Sequence, residues 1–220
     1  MKFFSIDSPL YKFMQRLWDI VKLNFMWILF SLPIVTAGVS TVAAFYVALR
    51  MSDDTEGDII HNFTSAFKVN LKQGIAMTFI SLICVTAVWL DFAIYNMTEE
   101  NSLPFLIIGI LSAYFLTFSL IYVYPLIARY DNTVFNSLRN SFRLGMKFFI
   151  RTIVLIFIVA FEAAVFLWNT KTLFLGAVIG PASIIYTISA AALRIFKEIE
   201  KIPGSTVPNN DKTEETDHSE

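Results

Sequence analysis

The chain has 220 residues, 56% hydrophobic, 15% aromatic and only 16% charged, with a mean hydropathy of +0.62. Such values lie outside the range of soluble domains and make a lipid bilayer the solvent in which the chain folds. A net charge of −1, with basic residues scattered between apolar runs, excludes a nucleic-acid footprint, and a single cysteine, Cys84, excludes an internal disulfide or thiolate metal cluster.

Some twenty aromatic-rich residues precede the first apolar run and no cleavage signal follows a short apolar core, so residues 1–220 are taken as the working chain. Residues 10–23 place Leu10, Phe13, Met14, Leu17, Trp18 and Val21 at helical spacing with charges between them, which predicts an amphipathic helix at a membrane surface. The run 24–50 carries no charge before Arg50 but is broken by Pro33 and Gly38. One crossing needs about 20 residues and two need about 40, and this run falls between. Because proline removes a backbone donor and Thr36 can cap a second helical piece, the expectation is a re-entrant hairpin of two half-helices, 24–32 and 36–49, meeting near mid-membrane.

An amphipathic elbow is predicted over 59–73 and spans over 74–95 and 104–123, with Pro125 stopping the second. A further amphipathic elbow follows at 133–147, then spans at 148–168 and 172–193, the last interrupted by Pro181. Residues 203–220 are polar and acidic, which predicts a disordered cytoplasmic tail behind a single membrane domain, 1–202. The fold class expected is therefore all-α: a polytopic bundle of four full spans, a Pro-broken re-entrant hairpin and amphipathic cytoplasmic elbows.

Basic residues fix the expected topology, because Lys and Arg in short loops accumulate on the cytoplasmic side. If the first run returns to its starting side, sixteen of the seventeen lie inside and only Lys171 lies outside. A single crossing gives twelve against five, so the partition favours the hairpin or two short crossings that put the same loops inside. Both termini are thus expected in the cytoplasm of a multi-pass plasma-membrane protein. Each elbow also closes on a similar pattern, Val21-Lys22-Leu23-Asn24-Phe25, Phe67-Lys68-Val69-Asn70-Leu71 and, more loosely, Phe142-Arg143-Leu144-Gly145-Met146. The reading is that Lys22, Lys68 and Arg143 sit at headgroups while Phe67 and Phe142 anchor in the boundary layer beside Asn24 and Asn70.

Asn24-Phe-Met-Trp27 with Leu32-Pro-Ile-Val-Thr-Ala-Gly38, then Phe67-Lys-Val-Asn-Leu-Lys-Gln-Gly74, Tyr124-Pro125, Arg129-Tyr-Asp131 and Asn136-Ser-Leu-Arg-Asn140 resemble the YesL-like family of bacterial integral-membrane proteins. The resemblance covers most of 10–197. It implies a plasma-membrane protein of unknown function, often associated with carbohydrate-uptake and polysaccharide-utilisation genes, and carries no catalytic residues.

Glu162 is the one acid well inside a predicted span, which makes it a functional candidate. Counting rise from the cytoplasmic boundary gives about 18 Å to Thr36, about 16 to 17 Å to Glu162 and about 20 Å to Pro181. The expectation is that Glu162 caps the half-helix at Thr36 to Gly38, or shares it with a small polar ligand; the alternative is a hydrogen bond to Ser or Thr on another span. Asp91 is expected near the outer interface, and Gly176 and Gly180 to serve packing within the bundle. His61 and His218 are the only histidines and no phosphate-cradling loop is present, so no cofactor and no enzymatic activity are expected. Two functions are left: an accessory or assembly partner of a carbohydrate-uptake system, in contact with lipid and transporter components, or a small-solute transporter built around 24–50 and Glu162.

Overall fold

A computed structural model of the protein describes residues 9–97 and 103–201, so the expectations for the acidic tail and for the Glu99–Glu100 turn lie outside the described residues. All regular structure there is helical: α1 Pro9–Ser31, α2 Ala37–Ser52 behind a short 3-10 turn Ile34–Thr36, α3 Ile59–Val69, α4 Leu71–Met97, α5 Leu103–Arg129, α6 Val134–Lys147, α7 Phe149–Leu167 and α8 Thr170–Glu200. Five segments are long and apolar enough to cross a membrane, Ile34–Ser52 and α4, α5, α7 and α8.

Several boundaries differ from expectation, each for a local reason. The predicted surface helix 10–23 and the first half-helix 24–32 are one continuous helix, α1, because nothing between Leu23 and Ser31 withdraws a backbone donor. The elbow 59–73 breaks at Asn70, whose amide side chain donates to the Ala66 carbonyl 2.9 Å away and ends α3 there. Pro125 does not stop α5, which continues to Arg129. Pro181 likewise lies within α8, which starts at a capping box formed by Asn169 and Thr172.

Two antiparallel pairs, α4–α5 and α7–α8, make up the long helices, and α6 lies along α5. Central to both is α2, packed against α4 and α5 on one pair, α8 on the other, and covered by α1 and α3. Its residues 42 to 49 are buried without exception. Lipid offers no hydrophobic drive for such burial, so close backbone approach has to supply dispersion contacts, and Gly38, Ser40, Ala43, Ala44 and Ala48 are the small residues that permit it.

The helix ends gather by direct contact. Gln73 near the start of α4 donates to the Asn132 carbonyl beyond α5, Arg129 at the end of α5 pairs with Glu200 at the end of α8, and Arg151 in the first turn of α7 pairs with Glu198. Asp53, just past α2, pairs with Lys197. Away from this base the paired helices are apolar and exposed, for example at Trp89, Ile107, Phe161 and Phe174.

Polarity is inverted relative to a water-soluble protein. On α1, Phe13, Met14, Trp18, Phe25, Leu29 and Leu32 beyond its end are exposed, while Asp19 and Asn24 are buried. The hairpin tip is apolar and open, with Leu32 71% and Ile34 74% exposed. An apolar outer surface around an apolar core that also holds a few polar side chains is the arrangement a bilayer selects.

Candidate functional site

The break that opens α2 is closed by α4. Gly38 N–H donates to the Thr78 hydroxyl oxygen at 2.9 Å, and the same hydroxyl has the carbonyls of Val35 at 3.0 Å and Gly74 at 3.1 Å as acceptors for its own proton. A Cβ on Gly38 would stand 2.4 Å from the Gly74 carbonyl oxygen, and one on Gly74 would stand 2.4 Å from Val39 Cα, so the two glycines let the backbones of α2 and α4 touch.

Thr36 occupies the N-cap position but its side chain makes no cap; its hydroxyl proton is shared between the carbonyls of Phe30 and Pro33, both at 2.8 Å. Thr36 therefore fastens the turn back onto α1, and Thr78 satisfies the first turn of α2. The break lies beside the first two turns of α4, not half-way along the bundle.

Glu162 is placed elsewhere. Its carboxylate accepts a hydrogen bond from the Thr187 hydroxyl at 3.2 Å, across the α7–α8 pair, while Thr36 N–H donates to the Pro33 carbonyl and Gly38 N–H to the Thr78 hydroxyl of α4. The expected cap by Glu162 is corrected by this geometry: equal rise counts align only helices that run parallel, and α7 packs on α8 and α6. Asp91 similarly accepts from Ser112 at 2.7 Å, joining α4 to α5.

Pro181 does converge with the first run, at Asn24. Proline at 181 has no N–H, which leaves the Ala177 carbonyl four residues earlier without its helical donor. Asn24 Nδ2 lies 2.9 Å from that oxygen and 2.8 Å from the Val178 oxygen, while Asn24 Oδ1 accepts from Ala182 N–H at 3.2 Å. One amide thus supplies the donor that Pro181 withholds from the Ala177 carbonyl and also contacts Val178 and Ala182, and Asn24, 1% exposed, is a buried pin and not a headgroup elbow. The signal was present in the sequence: an amide inside an apolar run needs an interior partner, and an intrahelical proline leaves one open.

The other elbow residues divide in two. Lys68 and Arg143 are exposed, and Lys22 pairs with Asp19 at 3.1 Å. Phe67, expected in the lipid boundary, packs edge-on to Phe30 at 5.0 Å between ring centroids, and Phe142 stacks on Phe115 at 5.5 Å. These rings turn inward because α3 packs on α1, and α6 on α5, where Ser141 donates to the Ser119 carbonyl and Gly145 sits against Phe118. Gly176 and Gly180 face Phe166 of α7, within the bundle as expected.

At the base, Arg16 pairs with Asp54 and Glu56, tying α1 to the loop after α2. Tyr130 donates to Glu200, and burial together with that carboxylate holds its phenol well above the usual range, against the lowering pull of Arg129. Between α5, α7 and α8 a cavity of about 570 Å³ is lined by Tyr122, Arg151, Val154, Ile158, Arg194 and Glu198, among others. Among the described residues no three His, Cys, Asp or Glu side chains are grouped so as to hold a metal ion.

A family model described as "Protein of unknown function, DUF624" matches residues 20–92, from the later part of α1 into α4. That stretch contains the Thr36, Gly38, Gly74 and Thr78 contact and Asn24. No curated protein and no solved structure matches the chain.

Proposed function

We infer that this is a non-enzymatic, multi-pass plasma-membrane protein that serves as an accessory or assembly subunit, with both termini cytoplasmic and 24–50 entering and leaving the membrane from that side. The observation that carries this reading is the division of the molecule into a tied base and exposed apolar pairs. The Thr78 closure and the Asn24 pin both hold helices to one another, with their partners within the chain. Exposed Lys68 and Lys72 by the start of α4, with exposed Arg139, Arg143 and Lys147 on α6, offer basic groups suited to an acidic partner segment.

Carbohydrate uptake enters through the YesL-like resemblance, which supplies the class of partner: a membrane component of a sugar transporter. The alternative, a small-solute transporter built on the broken helix and Glu162, needs those features to line one path. Gly38 is instead closed by Gly74 and Thr78, and Glu162 is engaged by Thr187. Mild crosslinking in native membranes followed by purification tests the reading. Recovery with transporter components is expected; recovery of the protein alone, or solute uptake by the purified protein in liposomes, would overturn it.

A further inference from the structure

The cavity between α5, α7 and α8 is graded in polarity along its length. Arg151 on α7 and Glu198 on α8 form an ion pair at one end. Seven residues onward along α7 stands Ile158, so that wall runs about 10 Å from charged to apolar, and on α8 Arg194 stands four residues, about 6 Å, in from Glu198, with Ala191 beyond it. Val154 and Leu155 on α7 and Ile195 on α8 fill the interval. Arg194, on the same wall, has no hydrogen-bond or ion-pair partner among the described residues. With two guanidinium groups and one carboxylate, the cavity lining carries a net charge of plus one.

We propose that this cavity is a binding site for one anionic phospholipid, its phosphate on Arg151 and Arg194 and its acyl chain along Val154, Leu155 and Ile158. Arginine's planar fork suits a phosphate diester, and the free Arg194 supplies the charge that Glu198 leaves uncompensated. The volume falls within the range of ligand pockets, and the basic end stands in the first turn of α7 and last turns of α8, where a headgroup meets a span. Phosphate alone would use the arginines and leave the apolar wall without purpose, which commits the site to a lipid.

The full chain in neutral detergent, titrated with phosphatidylglycerol or phosphatidylcholine and read by native mass spectrometry, tests this. Phosphatidylglycerol is expected to bind at least about fivefold more tightly than phosphatidylcholine, and Arg194→Gln to lose about fivefold, the effect of one basic residue at an anionic surface. Since Arg194 is exposed and unpaired, the variant keeps its fold, which its thermal unfolding midpoint verifies. Lys68→Gln, on a basic surface elsewhere, should leave binding unchanged, and Ile158→Trp, which fills the apolar wall, should weaken it with both arginines intact. Equal binding of the two lipids, no loss in Arg194→Gln, an equal loss in Lys68→Gln, no loss in Ile158→Trp, or displacement by millimolar inorganic phosphate would each overturn the proposal.

Discussion

At the scale of single residues, Asn24 and Pro181 are coupled: each is tolerable because of the other. Removing the amide strands the Ala177 carbonyl, whose helical donor Pro181 lacks, inside the protein, at a cost of about 1–3 kcal/mol for a buried group left unpaired. Replacing proline by alanine restores a donor to the Ala177 carbonyl, so the amide becomes dispensable. Asn24→Ala is therefore expected to lower the thermal unfolding midpoint in detergent, and Pro181→Ala added to it to recover part of the loss; strictly additive effects of the two changes would refute the coupling. Tyr130 supports a second expectation. A phenol whose folded value is raised keeps its proton while unfolded tyrosine gives its up, so the stability it contributes is intact below about pH 10 and is lost as pH rises beyond. Unfolding midpoints measured between neutral and alkaline pH should fall more steeply for the wild type than for Tyr130→Phe, and equal slopes would dismiss the role of this phenol. The sequence showed Asn24 and Pro181 separately. Their meeting was not legible because it joins residues 157 positions apart, and helical spacing says which face a residue occupies but not which helix lies opposite.

At the scale of elements, hydrophobic periodicity and length located α4, α5, α7 and α8 but split α1 in two, since runs of about 20 apolar residues are strong signals and a continuous helix across an amphipathic-to-apolar change is not. What they could not give was the way α1 faces. Leu10, Phe13, Met14 and Trp18 mark an apolar stripe whether that stripe packs on protein or meets lipid, and the structure turns it outward while Asp19 and Asn24 go in. Prolines misled for a related reason. A lost N–H ends a helix in water but is accommodated where a neighbour packs over it, as with buried Pro125, whose neighbour Tyr124 stacks on Phe45 of α2. The outward stripe makes a prediction of its own. Phe25 is exposed in the middle of it, so Phe25→Asp should cost up to about 2.5–3.5 kcal/mol if lipid covers that face, and should reduce the inserted, monodisperse protein recovered on size exclusion while Phe25→Leu does not. Wild-type recovery of Phe25→Asp would mean that water covers this face of α1.

At the scale of the molecule, the depth count failed because it treated every helix as running along one axis. Residues 36 to 38 were expected level with Glu162, yet they lie on Gly74 and Thr78 at the start of α4, while the far end of α2 reaches Lys197 near the end of α8. A helix that contacts the start of α4 at one end and the last turns of α8 at the other does not follow the single axis that a count of residues from a boundary assumes. The contacts at the base also constrain sidedness more tightly than the distribution of charge does. Groups in direct contact share a side of the bilayer, so Arg16 with Asp54, Asp53 with Lys197, Gln73 with Asn132, Arg129 with Glu200 and Arg151 with Glu198 form one connected set. From sequence, sixteen of the seventeen basic residues were assigned to one side, which the proposed function takes as the cytoplasm from the positive-inside tendency. The expected result is that single cysteines at Asp54, Asn132 and Lys201 in a Cys84→Ser background resist a membrane-impermeant maleimide in intact cells and react after permeabilisation, while one at Asn169 reacts without it. Labelling of position 54 from outside while 132 and 201 stay protected would separate residues that the base holds together, and would require 24–50 to cross the membrane once.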